Sequence, residues 1–128
     1  MAATTAKRPS EIRPGELRIS LREHGTTSTI ELQGEWDLAN QQASLAAVTE
    51  ALARRPECLL LDLSQVSFID SSGIHAVVET SKRCAELQTR LVIVPGPRAV
   101  QRLFDLCGLI PHLQFAPAKS PASNREVP

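Results

Sequence analysis

At 128 residues, with 42% apolar and 22% charged side chains, the chain suits one packed domain and is too short for two. Its 14 basic and 14 acidic residues cancel, only 3% of residues are aromatic and there is no Tyr. It therefore lacks both the phosphate-neutralising excess and the stacking surface of a nucleic-acid binder. No apolar run is long enough to cross a bilayer and no secretory h-region opens the chain. The expectation is a soluble cytoplasmic protein with neither membrane nor direct nucleic-acid partners.

The ends differ from the middle. "MAATTAKRPSEIRPG" (1–15) and "APAKSPASNREVP" (116–128) are rich in Pro, Ser and Ala without periodicity. They lack the apolar surface that offsets ordering entropy, so a flexible N-terminal arm and a disordered C-terminal tail are expected around a domain at 16–115. Cys58, Cys84 and Cys107 show no C-x-x-C spacing. They are expected to be reduced, buried small hydrophobes.

In chain order, "ELRISLRE" alternates Leu17, Ile19 and Leu21 with polar neighbours, the period of a strand with one wet face. "HGTTS" reads as a turn, and "TIELQGEW" resumes alternation through Ile30 and Leu32, predicting an antiparallel hairpin. In "DLANQQASLAAVTEALARR", Asp37 is placed to cap a helix, with Leu38, Leu45, Val48 and Leu52 as its apolar stripe and Pro56 ending it. "CLLLDL" predicts a strand covered on both faces. A helix from Ser72 to Leu87 follows, carrying Ile74, Val77, Val78, Cys84 and Leu87 at helical spacing. "RLVIV" predicts another buried strand.

In "PGPRAVQRLFDLCGLIP" a third helix is expected, with Pro97 in its first turn and Val100, Leu103, Phe104 and Cys107 inward. Gly108 and Leu109 supply a left-handed stop with an apolar contact. "LQF" suggests a last strand. The order implies an α/β domain, a mixed four- to five-stranded sheet packed against amphipathic helices.

The stretch "LLLDLSQVSFIDSSGIHAVVE" runs a greasy strand into Asp70-Ser71-Ser72-Gly73 and then a helix. Such strand ends are where open sheets place function, and a helix start suits a phosphate. Asp70 or Ser71 also serves simply as a helix cap. A catalytic serine needs a base and an orienter for it. His75 follows Ser71 by four residues, but there is no G-x-S-x-G, and His24 and His112 fall in predicted turns. No Gly-rich phosphate loop, zinc spacing or carboxylate pair appears, so no enzyme, cofactor or metal site is expected.

Three segments, "LQGEWDLAN", "LLLDLSQVSFIDSSGIHAVV" and "VQRLFDLCGL", together resemble the STAS domain of bacterial anti-sigma factor antagonists. The resemblance spans nearly the whole predicted domain, and the middle segment is the specific one. It implies that the hydroxyl residue after the Asp, Ser71, is the phosphorylation site, with Ser72 as runner-up. It implies as partners an anti-sigma factor that is also a serine kinase of the histidine-kinase-like ATPase type, and a serine phosphatase. Asp37, Asp70, Ser71, Ser72, Gly73 and Ile74 would form the partner-binding surface. Trp36 and His75 depart from the residues more frequent in the family and are expected to reshape that surface. Related modules also act without phosphorylation, as scaffolds in stress-sensing complexes or transporter accessory subunits.

Overall fold

The computed structural model describes residues 12–117, so the arm and tail expected from the sequence lie almost entirely outside the described residues. Strands β1 (Leu17–His24) and β2 (Thr27–Trp36) form the hairpin. A one-turn 3-10 helix (Leu38–Asn40) leads into α1 (Gln41–Ala53). Then come β3 (Cys58–Ile69), α2 (Ser71–Glu86), β4 (Arg90–Val94), α3 (Arg98–Leu106) and a second 3-10 turn (Ile110–His112).

The sheet order is β1-β2-β3-β4, antiparallel in the hairpin and parallel thereafter. Each crossover advances one strand in the same direction, so a uniform right hand lays all the helices on one face. The core agrees: Val48 and Leu52 of α1, Ile74 and Val77 of α2, and Val100 and Phe104 of α3 join one cluster with inward strand residues. The register sets Ile30 beside Leu61 and Leu61 beside Ile93, a row across three strands that is at most 1% exposed. Burying each such side chain contributes about 1.5–3 kcal/mol.

Several expectations need correcting. The hairpin turn is tighter than "HGTTS": His24 pairs with Thr27, and Gly25 at φ +62 supplies the left-handed step. β3 is not covered equally on both faces. Leu59, Leu61 and Leu63 are buried while Leu60 and Asp62 are half-buried, because all the described helices pack on the other side. β4 likewise begins exposed at Arg90 and is buried only at Ile93 and Val94.

"LQF" contributes one bridge, Phe115 to Ile93, rather than a strand. Pro95 and Pro117, lacking amide hydrogens, stop the ladder on either side. Pro97 is the residue that caps α3, one position ahead of its helical turn. Gly108 at φ +73 ends that helix as expected, with Leu109 packed on the core. Cys107, at the C-cap, has rotated past the Val100–Phe104 stripe and is exposed.

Among the thiols, only Cys84 is fully buried; Cys58 is half-buried. Burial, with a smaller contribution from Cys58, pushes the Cys84 thiol from 9.0 up to about 11.

Candidate functional site

β2 and β3 end side by side, with Trp36 paired to Ile69 as the last rung. The next residue on each strand is an aspartate in extended conformation, Asp37 at φ −134° and Asp70 at φ −116°, each with ψ −169°. The Asp70 carboxylate Oδ1 accepts from the amides of Ser72 at 2.8 Å and Gly73 at 3.3 Å. Its carbonyl accepts from Ile74 N at 3.0 Å, so α2 begins at once. This satisfies amides that a helix start otherwise leaves open. Asp37 Oδ1 accepts from Ala39 N and from the Asn40 side-chain amide, both at 3.1 Å.

The two strand ends are also tied together. The Asp70 amide donates to the Trp36 carbonyl at 3.2 Å. Gly73 lets the first turn of α2 settle there: a Cβ would stand 2.5 Å from Ile69 Cγ1 and 3.0 Å from the Trp36 carbonyl oxygen. The Trp36 indole Nε1 donates to Ser44 Oγ at 3.0 Å, and that hydroxyl donates to the Gln41 carbonyl at 2.7 Å. Gln41 Nε2 in turn donates to the Ser72 carbonyl at 3.0 Å.

The residues singled out from sequence therefore gather at one end of the sheet, though not all on its surface. Ser71 is exposed, and its hydroxyl has no hydrogen-bond partner among the described residues. Asp37, Asp70 and Ser72 are half-buried. Gly73 is buried and Ile74 is only 6% exposed, so they shape the turn from inside instead of offering contact area. Trp36 is 2% exposed: it is a core residue, not a feature of a partner-facing surface, because its ring closes the end of the apolar layer while its N–H finds Ser44. His75 is exposed, and no hydrogen bond joins it to Ser71. No group of three or more His, Cys, Asp or Glu converges on a possible metal position among the described residues.

Other residues at this end escaped the sequence reading. Leu38, expected on the α1 stripe, is 70% exposed; the 3-10 turn breaks the phase between it and Leu45. Phe68 is 48% exposed because the pairing of β2 with β3 shifts between Gly34 and Glu35, turning Ser67 and Phe68 outward together. A shallow apolar cleft of about 220 Å³ runs between this stretch and Val100, Leu103 and Leu106 of α3. The sequence signal was the broken alternation of "QVSFI". For Gln41 there was none, since its role depends on a helix 31 residues away.

The sequence model of the STAS domain matches residues 18–121. The chain belongs to the STAS domain family. Among relatives of this STAS domain, the anti-sigma-F factor antagonist RsfB of Mycobacterium tuberculosis is 27% identical over 96 residues, covering 75% of this chain and 78% of that protein. An anti-sigma factor antagonist structure from Mycobacterium paratuberculosis superposes with TM-score 0.77 at 24% identity, covering 89% of this chain and 97% of that one. Unphosphorylated SpoIIAA gives TM-score 0.68 at 21% identity, covering 85% and 94%. The phosphorylated form of Bacillus SpoIIAA gives 0.62 at 22%, covering 84% and 98%. At these identities the structures show a shared STAS fold, with its four-stranded mixed sheet and three α-helices.

Proposed function

We propose that the protein is an anti-sigma factor antagonist whose hold on its anti-sigma factor is switched by phosphorylation of Ser71. The observation that carries this reading is the state of that hydroxyl. It is exposed on the first residue of α2 and has no hydrogen-bond partner among the described residues, beside an Asp70 carboxylate already committed to the Ser72 and Gly73 amides. Further support comes from the names of the relatives and from a fold neighbour known in both phosphorylated and unphosphorylated forms.

The partner is a serine kinase of the histidine-kinase-like ATPase type, which supplies magnesium ATP and the base. Ser71 Oγ bonds to the γ-phosphorus, the bond from that phosphorus to the ADP oxygen breaks, and the hydroxyl proton passes to the kinase's base. A serine phosphatase reverses the mark. The unmodified surface docks through the half-buried Asp37 and Asp70 turns, with exposed Leu38 and Phe68 adding apolar area at the same end of the sheet. Gly73 and Ile74 support that surface from below.

Phosphorylation adds about −1.5 to −2 charges. At a helix start that charge is tolerated, so the fold persists. Within a docked interface it must be desolvated next to Asp70. A hundredfold loss of affinity corresponds to about 2.8 kcal/mol. Two unit charges about 4 Å apart at intermediate dielectric repel by about 4 kcal/mol before screening. One added anion is enough without any refolding.

The test is incubation of the protein with purified candidate anti-sigma factor kinases of its host and magnesium ATP, followed by peptide mass spectrometry. Ser71→Ala is expected to take no phosphate and to stay bound, while Ser71→Asp binds about a hundredfold more weakly. A wild-type phosphate mapped away from Ser71, a Ser71→Ala that is still fully phosphorylated, or equal binding of modified and unmodified protein defeats the reading.

A further inference from the structure

Two adjacent hydroxyl residues open α2: Ser71 is exposed and Ser72 half-buried. Successive residues of a helix point about 100° apart, so the rotation of the first turn decides which serine is displayed. Asp70 holds the Ser72 amide at 2.8 Å, but a cap on the same chain moves with the turn it caps. The Ser72 carbonyl is held from elsewhere, by Gln41 Nε2 at 3.0 Å.

Gln41 is the first residue of α1, and its own backbone is anchored. Its carbonyl accepts from Ser44 Oγ at 2.7 Å, and Ser44 accepts from the Trp36 indole at 3.0 Å. Trp36 and Ser44 are 2% and 3% exposed. Ser72 thus has its amide held by the Asp70 cap and its carbonyl tied, from another helix, to a chain of hydrogen bonds rooted in the core.

We propose that Gln41 is a positioning residue for phosphoryl transfer, selecting Ser71 over Ser72 as acceptor by fixing the rotation of the first turn of α2. The inference rests on the reading of Ser71 as a phosphate acceptor. Gln41 touches neither nucleotide nor phosphorus; it acts through the Ser72 carbonyl. Its effect belongs to the aligned, in-line geometry of the transferring state more than to initial docking.

Gln41→Glu is the discriminating variant. It keeps the side chain's length and shape, and a carboxylate in the first turn of α1 favours that helix, so folding is not weakened. It replaces the amide donor with a group that repels the Ser72 carbonyl. In the isolated protein, hydrogen exchange at the Ser72 and Gly73 amides is expected to rise about tenfold with an unchanged urea midpoint. With a kinase that phosphorylates the wild type and magnesium ATP, phosphate divides between Ser71 and Ser72, and kcat falls several-fold at nearly constant KM. Gln41→Ala divides the phosphate in the same way, and Gln41→Lys, which restores a donor on a side chain one bond longer, returns label to Ser71.

Unchanged exchange at Ser72 and Gly73, or a label confined to Ser71 in both Gln41→Glu and Gln41→Ala, overturns the positioning role. A wild type that takes phosphate on neither serine overturns the role together with the Ser71 reading. That result differs from a failure of Gln41 alone, in which wild type and variants all label Ser71.

Discussion

The turns after β2 and β3 start from nearly the same geometry and end differently. Both follow the paired residues Trp36 and Ile69, and both open on an extended aspartate whose carboxylate takes the amide two residues on. After Asp70 the small residues Ser71, Ser72 and Gly73 let a 16-residue helix begin immediately and settle against Ile69. After Asp37 the chain makes one 3-10 turn, leaves Leu38 in solvent and begins α1 only at Gln41. That turn is completed from the side: Asn40 Nδ2 reaches the Asp37 carboxylate and, at 2.7 Å, the Glu35 carbonyl. The same cap chemistry therefore opens a long helix at once in one case and a separately braced corner in the other. What distinguishes them is side-chain size in the following turn.

Substitutions can break this comparison, beginning with the residue that serves both turns. Trp36→Ala removes a fully buried ring and is expected to cost about 3–5 kcal/mol in urea unfolding. A loss below about 1 kcal/mol would mean the ring is not part of the core. Gly73→Ala tests the size argument directly. Its new methyl meets Ile69 and the Trp36 carbonyl, so a loss of about 1–3 kcal/mol is expected, although Ala is ordinarily the better helix former. Stabilisation by this change would refute the close approach.

The two caps come next. Asp70→Ala should cost about 1–2 kcal/mol, since two amides at the head of a long helix lose their acceptor. Asp37→Ala, with only one backbone amide at stake, should cost about 0.5–1 kcal/mol by the same unfolding measurement. Reversal of that order would show that the braced corner is the stiffer of the two. Ser71→Ala should be smallest, within about 0.5 kcal/mol in a thermal melt, because the hydroxyl is exposed and makes no hydrogen bond among the described residues.

Much of this was legible in the residues themselves. Alternation at Leu17, Ile19 and Leu21 and at Ile30 and Leu32 wrote the hairpin plainly, and Asp70 before two serines and a glycine marked a helix start. Local signals failed where distant pairing decided the outcome. The run "CLLLDL" reads the same whether one face or two are covered, and only the common side of the helices exposes Leu60 and Asp62. Leu38 kept helical spacing while its backbone did not. Trp36 looked like a surface departure because nothing in its neighbourhood announces that Ser44, eight residues on, receives its N–H in the interior. Gln41 was invisible for a related reason, since its partner is a backbone carbonyl rather than a residue type.

Trp36 is the chain's single tryptophan, and with no tyrosine present it is the dominant ultraviolet chromophore of the protein. Its carbonyl meets the start of the serine turn, while its buried indole nitrogen is bonded to the Ser44 hydroxyl of α1. Its emission consequently samples one place in the molecule. Unfolding or loosening of that end of the sheet can therefore be followed by intrinsic fluorescence in unlabelled protein.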